Sequence, residues 1–167
     1  EVLEQAQPQR ACVSCEAQWI ASGGDPTASA PGTAPRTLPA DNAWIMYSMM
    51  GDVITRGTAR KALKLKRTDL AGKTGTTNDQ RDAWFSGFNG ALVASAWVGF
   101  DRAQPMGRRE TGGTAALPMW IDFMAEALKD TPDSPVPQPP GLVKVRIDPD
   151  TGLLANAGDP GAIYEVF

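Results

Sequence analysis

Two strand-like runs meet at Asn89-Gly90, and that junction constrains the fold more than any other part of the sequence. Asp82-Ala83-Trp84-Phe85-Ser86-Gly87-Phe88 precedes it, and Ala91-Leu92-Val93-Ala94-Ser95-Ala96-Trp97-Val98-Gly99-Phe100 follows. An Asn-Gly pair between two such runs is the strongest short-range hairpin signal, so the runs are predicted to pair antiparallel. Ahead of them, across the polar turn Asn78-Asp79-Gln80-Arg81, Leu70-Ala71-Gly72-Lys73-Thr74-Gly75-Thr76-Thr77 reads as a third strand. Together they make an antiparallel meander. Because residues 91–100 are apolar on both parities, the sheet is expected to be covered on both faces.

The cover comes from segments of helical period. From Asp41, the residues Ala43, Tyr47, Met50 and Ile54 share one face with Met46 and Val53 beside them, and Pro39 and Gly57 punctuate the ends. A second helix is predicted from about Pro118, with Leu117, Trp120, Ile121, Met124 and Leu128 turned to the sheet and Asp122, Glu126 and Lys129 away from it. The predicted class is therefore α+β, an antiparallel sheet covered by helices. Residues 1–21 read as an irregular or hairpin segment, with short strands at Glu1-Val2-Leu3 and Gln18-Trp19-Ile20. Residues 22–39 are too rich in Gly and Pro for a regular element and read as a flexible linker, followed by the main body over 40–130. Residues 131–167 form a Pro-rich linker and a strand tail: a strand over 142–147, a turn over 148–152 and a short strand at Leu153-Leu154.

Composition excludes several functions. No stretch of the 167 residues approaches the roughly 18 apolar residues of a membrane-spanning helix. Net charge is −3, and the one basic cluster, from Arg56 through Arg60, Lys61, Lys64 and Lys66 to Arg67, lacks interleaved aromatics; it reads as a solvated helix end and turn, not a nucleic-acid surface. With no histidine, any acid–base chemistry runs through Lys, carboxylates or groups outside this chain. Cys12 and Cys15 are the only cysteines, too few for a four-coordinate zinc site, and no helix-opening redox pattern is expected after them. A small structural disulfide is the preferred reading, with two free thiols the alternative. Starting at Glu1 without an initiator Met, the sequence reads as a processed or excised piece.

The chemistry concentrates at Lys73-Thr74-Gly75-Thr76-Thr77. An ammonium, two hydroxyl donors and a residue without a side chain, set on one extended run, suit a peptide carboxylate held beside a polarised carbonyl. The plain alternative is a Thr-rich edge strand with a solvated lysine. Lys-Thr-Gly is also one of three signatures shared by penicillin-binding proteins and serine β-lactamases, and here it stands without Ser-x-x-Lys or Ser-x-Asn.

Other runs point the same way. Arg56-Gly57-Thr58, residues 72–79, residues 82–88, Trp97-Val98-Gly99-Phe100-Asp101, Ala116-Leu117-Pro118-Met119-Trp120 and Asp148-Pro149-Asp150-Thr151-Gly152 occur in an order that resembles the end of the transpeptidase domain of class A penicillin-binding proteins, most closely the 1A type of Gram-negative bacteria. The resemblance implies a serine β-lactamase/penicillin-binding transpeptidase-like fold, incomplete in this chain. It implies peptidoglycan D,D-transpeptidation through a serine acyl-enzyme, acylation by β-lactams, and a parent that also carries a glycosyltransferase domain. In that scheme Lys73 helps anchor the terminal carboxylate and polarises the hydroxyl network, Thr74 and Thr76 bind the carboxylate, and Gly75 lets substrate lie against the strand. The N–H of Thr76 is one of two oxyanion donors, and Thr77 supports the strand's end at the substrate-binding run.

None of Ser14, Ser22, Ser29, Ser48, Ser86, Ser95 or Ser134 is followed three residues later by Lys, and none begins Ser-x-Asn. The nucleophile and its lysine are therefore expected upstream on a longer protein, and this chain alone is expected to be inactive. Implied partners are peptidoglycan stem peptides, β-lactam antibiotics and the remainder of the same protein, with no cofactor, metal or nucleic acid. The implied location is the periplasmic face of the bacterial inner membrane, with membrane contact only through an N-terminal anchor outside this sequence. Two alternatives stay open: a serine β-lactamase fragment, or a non-catalytic module that binds peptides on the open strand. Trp84, Phe85, Phe88 and Trp97 are read as packing before a substrate groove, and Arg108, Arg109 and Glu110 as a solvated loop.

Overall fold

The computed structural model describes residues 9–25, 28–35 and 37–167. The chain forms two compact units, residues 1–43 and 44–167. In the first, Cys12 adopts an extended conformation and its Sγ caps helix α1 (Val13–Ala21) by accepting the Cys15 N–H at 3.2 Å. Cys12 and Cys15 are disulfide-bonded across this first helical turn. The helix replaces the strand expected at Gln18-Trp19-Ile20, and the cysteine motif does open a helix after all. Glu16, Ala17 and Gln18 are good helix formers, Glu16 suits the N-terminal end of the dipole, and together they override the strand preference of Trp19 and Ile20. The strand expected at Glu1-Val2-Leu3 lies outside the described residues.

Helix α2 (Ala40–Thr55) follows the predicted span, with Ile54 buried and Tyr47 and Met50 half-buried. A 3₁₀ turn (Arg60–Leu65) leads to strands β1 (Ala71–Thr76), β2 (Asp82–Phe88) and β3 (Val93–Gly99). They pair antiparallel in the order β1-β2-β3, as the hairpin signal predicts. Asn89 closes the hairpin by side-chain bonding, not by the left-handed backbone that favours Asn-Gly pairs. Its Oδ1 accepts the N–H groups of Ala91 and Leu92 at 3.0 and 2.8 Å, and its own N–H reaches Leu92 O at 3.0 Å.

A π-helical turn (Gly112–Ala116) runs into helix α3 (Leu117–Ala127), which covers one face of the sheet. Leu117, Trp120, Ile121 and Met124 are all buried, on the predicted stripe, with Leu128 just past the helix end. Trp120 sits edge-on to Phe85 at 4.9 Å between ring centroids, and its Nε1–H donates to Ala94 O at 3.1 Å, so its one polar atom is satisfied in the core. Burying a side chain of this size contributes about 1.5–3 kcal/mol. Gly72 sits where the sheet leaves no room for a side chain: a Cβ there would lie 2.7 Å from Ser86 O and 2.9 Å from Gly87 Cα.

The opposite face departs from the expectation. Helix α2 reaches it only at the Phe88 end, where the Tyr47 ring lies 6.2 Å away, while Trp84 and Trp97 remain 45% and 41% exposed. The outward parity of β3 supplies only Val93 and Trp97 as large apolar groups, with Ser95 between them, so within this chain it has no continuous apolar surface to bury. The two indoles pack on each other at 6.1 Å, and Trp97 Nε1–H donates to Asp82 Oδ1 at 3.0 Å.

Arg67, read from sequence as part of a solvated cluster, is instead nearly buried. Its guanidinium forks onto Asp69 at 2.9 and 2.7 Å and also donates to Thr131 O and Pro132 O. Asp69, fully buried, accepts further bonds from Asn89 Nδ2 and Ser134 N–H, both at 3.1 Å. At the end of the chain, β4 (Lys144–Ile147) pairs antiparallel with β5 (Ile163–Val166). The short strand expected at Leu153-Leu154 contributes only a single bridge, from Leu154 to Ile147.

Candidate functional site on the free edge of the first strand

Strand β1 is an edge strand, bonded to β2 and to no other strand among the described residues. Thr77 N–H donates to Asp82 O at 3.0 Å, in register with Gly75↔Trp84 and Lys73↔Ser86. Since ladder bonds alternate along an antiparallel pair, the odd-numbered residues bond to β2, and the backbone groups of Thr74 and Thr76 face the free edge. The sequence reading expects a peptide to be accepted at this edge.

Side chains alternate as well. Lys73 and Gly75 share the face of Ser86, Trp84, Ser95 and Trp97, whereas Thr74 and Thr76 share the face of Phe85 and Ala83. The Lys73 ammonium bends back to the edge, donating to Thr74 O at 3.0 Å and to Thr74 Oγ1 at 3.4 Å. Gly75 lies close against its cross-strand neighbour: a Cβ there would be 3.1 Å from Trp84 Cβ, so the Trp84 side chain would have to give by a few tenths of an ångström. Thr77 is committed to the turn: its Oγ1 accepts the Asp82 N–H at 2.8 Å. Of the sequence-predicted residues, therefore, Thr74 and Thr76 come together on one surface, Lys73 reaches the edge from the other side, and Thr77 holds the strand's end.

Thr74 and Thr76 form one wall of a recess of about 450 Å³. Thr58 and Lys61 supply a second wall and Thr111, Gly113 and Thr114 a third. Thr58 Oγ1 and Thr74 Oγ1 are 2.9 Å apart, and Thr76 Oγ1 accepts the Gly112 N–H at 3.0 Å. Thr111 and Thr114 form a capping box at the head of the π-helical turn, the Thr111 N–H donating to Thr114 Oγ1 at 2.8 Å. Gly112 lets that turn rest on the strand, since a Cβ there would collide with Trp84 O and come within 2.6 Å of Gly75 O.

Thr111 and Thr114 were not singled out by sequence reasoning, Lys61 was read only as part of the solvated basic cluster, and Thr58 entered only through its motif. Thr111-Gly112-Gly113-Thr114 directly before an apolar helix did carry a signal, the spacing of a capping box with glycines where backbones meet. Chemically, the recess offers hydroxyl donors and one ammonium at the edge of a strand with unused backbone amides, a setting for an anionic group at the end of an extended chain.

No protein-family model matches the chain. Individual proteins do. Penicillin-binding protein 1A of Pseudomonas aeruginosa is 56% identical over 154 residues, covering 92% of this chain and 19% of that protein. Penicillin-binding protein 1A of Neisseria lactamica is 46% identical over 133 residues, covering 75% of this chain and 17% of that protein. The 2.6 Å crystal structure of penicillin-binding protein 1A from Haemophilus influenzae superposes with a TM-score of 0.73 at 36% identity, covering 83% of this chain and 22% of the other. The chain thus spans about one-fifth of the length of these relatives. Over most of its length, in sequence and in its α+β fold, the chain matches one part of penicillin-binding protein 1A.

Proposed function

We propose that this chain supplies the strand-edge half of a peptidoglycan D,D-transpeptidase site, acting with a serine nucleophile and its lysine carried elsewhere on a longer protein. The single observation that carries the reading is the free edge of β1, with the Thr74 and Thr76 hydroxyls beside backbone groups that bond to no other strand. An extended stem peptide adds to this edge as a further strand, its terminal carboxylate taking the two threonine hydroxyls. The outward N–H of Thr76 then serves as an oxyanion donor, a contact whose loss costs about 3–4 kcal/mol of transition-state stabilisation. Lys73 adds its charge at the same edge, next to Thr74 Oγ1. Acyl transfer runs in two steps. The serine oxygen attacks the penultimate carbonyl and D-Ala leaves with a proton; the amine of a second stem peptide then takes the acyl group and frees the serine. β-Lactams enter the first step and stop there.

The same reading places the longer protein at the periplasmic face of the inner membrane, held by an anchor outside this sequence and accompanied by a glycosyltransferase domain. No helix among the described residues is long and apolar enough to cross a membrane. The test is covalent labelling of the full-length protein by a fluorescent penicillin. A stable adduct supports the transpeptidase; release of the adduct within seconds turns the reading toward a β-lactamase, and absence of any adduct toward a peptide-binding module.

A further inference from the structure

We infer that Lys61 is a specificity-determining residue, the cation that recognises the substrate carboxylate inside the threonine recess; this deepens the transpeptidase reading and rests on it. Lys61 and five threonines line the recess with Gly113, no acidic side chain joins them, and Lys73 is not among the lining residues. The Lys73 side chain rises from the opposite face of β1, with its ammonium donating to Thr74 O. Three members of the basic cluster are engaged elsewhere, Arg56 with Asp52 and Glu165, Lys64 with Asp122 at 3.0 Å, and Arg67 with Asp69, while Arg60 and Lys66 do not line the recess. Lys61 has no ion-pair partner among the described residues. Its backbone is well fixed, because Ala59 and Ala62 on either side are buried in the core. A lysine without an ion-pair partner among residues that line a hydroxyl-rich recess, with no carboxylate in the lining, makes a site for an anion, and the planar carboxylate that ends a stem peptide matches it in charge and in hydrogen-bonding capacity.

The experiment compares full-length wild type with the Lys61→Met and Lys61→Arg variants in acylation by a labelled penicillin and by its methyl ester. With the free carboxylate, Lys61→Met is expected to weaken the pre-acylation complex about tenfold while leaving the limiting acylation rate unchanged. Lys61→Arg keeps most of the wild-type value. The ester reacts equally with wild type and Lys61→Met, and raising salt slows the carboxylate reaction of the wild type more than that of Lys61→Met. Equal losses on acid and ester, or no loss on either, overturn the assignment. A wild-type protein that takes up neither compound overturns the transpeptidase reading itself and removes this inference with it.

Discussion

Arg67 grips Asp69 through two parallel hydrogen bonds, at 2.9 and 2.7 Å, in the interior two residues ahead of β1. Asp69 is fully buried and satisfied from four directions, since the Asn89 and Ser134 bonds complete what the guanidinium begins. Removing Asp69 leaves the nearly buried Arg67 with main-chain carbonyls and the more exposed Asp133, and deprives Asn89 and the Ser134 N–H of their acceptor. Asp69→Ala is therefore expected to destabilise the domain by about 3–5 kcal/mol, measured by denaturant unfolding, whereas a solvated pair such as Lys64 with Asp122 should cost less than about 1 kcal/mol. A loss below 1 kcal/mol for Asp69→Ala would show that the clasp does not hold the fold.

Acid should find the same pair. Burial pushes the Asp69 carboxyl up, but the Arg67 bonds, with those from Ser134 and Asn89, outweigh it and hold the group below its ordinary value of 3.8. A folded-state pKa below the unfolded one gives stability that is fully present above the unfolded value and lost as pH falls through the folded one. Unfolding free energy should thus drop below about pH 4, and Asp69→Asn should flatten that limb of the profile. An identical acid limb in the variant would assign the effect to other carboxylates.

Lys73→Ala separates chemistry from folding. The side chain is exposed and its bonds go only to Thr74, so stability should change by no more than about 0.5 kcal/mol. Acylation of the full-length protein by penicillin should slow by about a hundredfold or more. An unchanged rate would take Lys73 out of the mechanism.

Gly112→Ala tests how the recess is assembled. The added methyl meets the backbone of Gly75 and Trp84, so the turn bearing Thr111 and Thr114 must lift from β1, at about 1–3 kcal/mol. Gly90→Ala is the control: the nearest atom to a Cβ there is Ser134 O at 3.6 Å, and no loss of stability is expected. Acylation should fall for Gly112→Ala alone; equal rates for both would mean that the turn plays no part in the site.

The parts legible in the sequence were those governed by local periodicity. Leu117, Trp120, Ile121 and Met124 announce a helix face by spacing alone, and the Asn89-Gly90 pair between two strand-like runs announces the hairpin. Strand β5 escaped notice because Ile163-Tyr164-Glu165-Val166 is only four residues long and earns its strand state from pairing with β4. Arg67 escaped although its partner Asp69 lies only two residues on, because the segment that closes over the pair, with acceptors at Thr131 and Pro132, is 64 and 65 residues away. The recess was half visible for the same reason: Thr74 and Thr76 declare themselves on one strand, while Lys61 and Thr114 acquire meaning only when three separate segments converge.

Gly72 stands guard over this arrangement without touching any ligand. If β1 slid by one residue against β2, every side chain of the strand would change faces, sending the threonines toward the indoles and the lysine into the hydroxyl-lined hollow. The slide would force Ala71 or Lys73 into a space that admits no Cβ, 2.7 Å from a carbonyl oxygen. The smallest residue in the run thereby acts as a key for alignment, and the handedness of the site is written in a hydrogen atom one turn of the pleat before the first functional group.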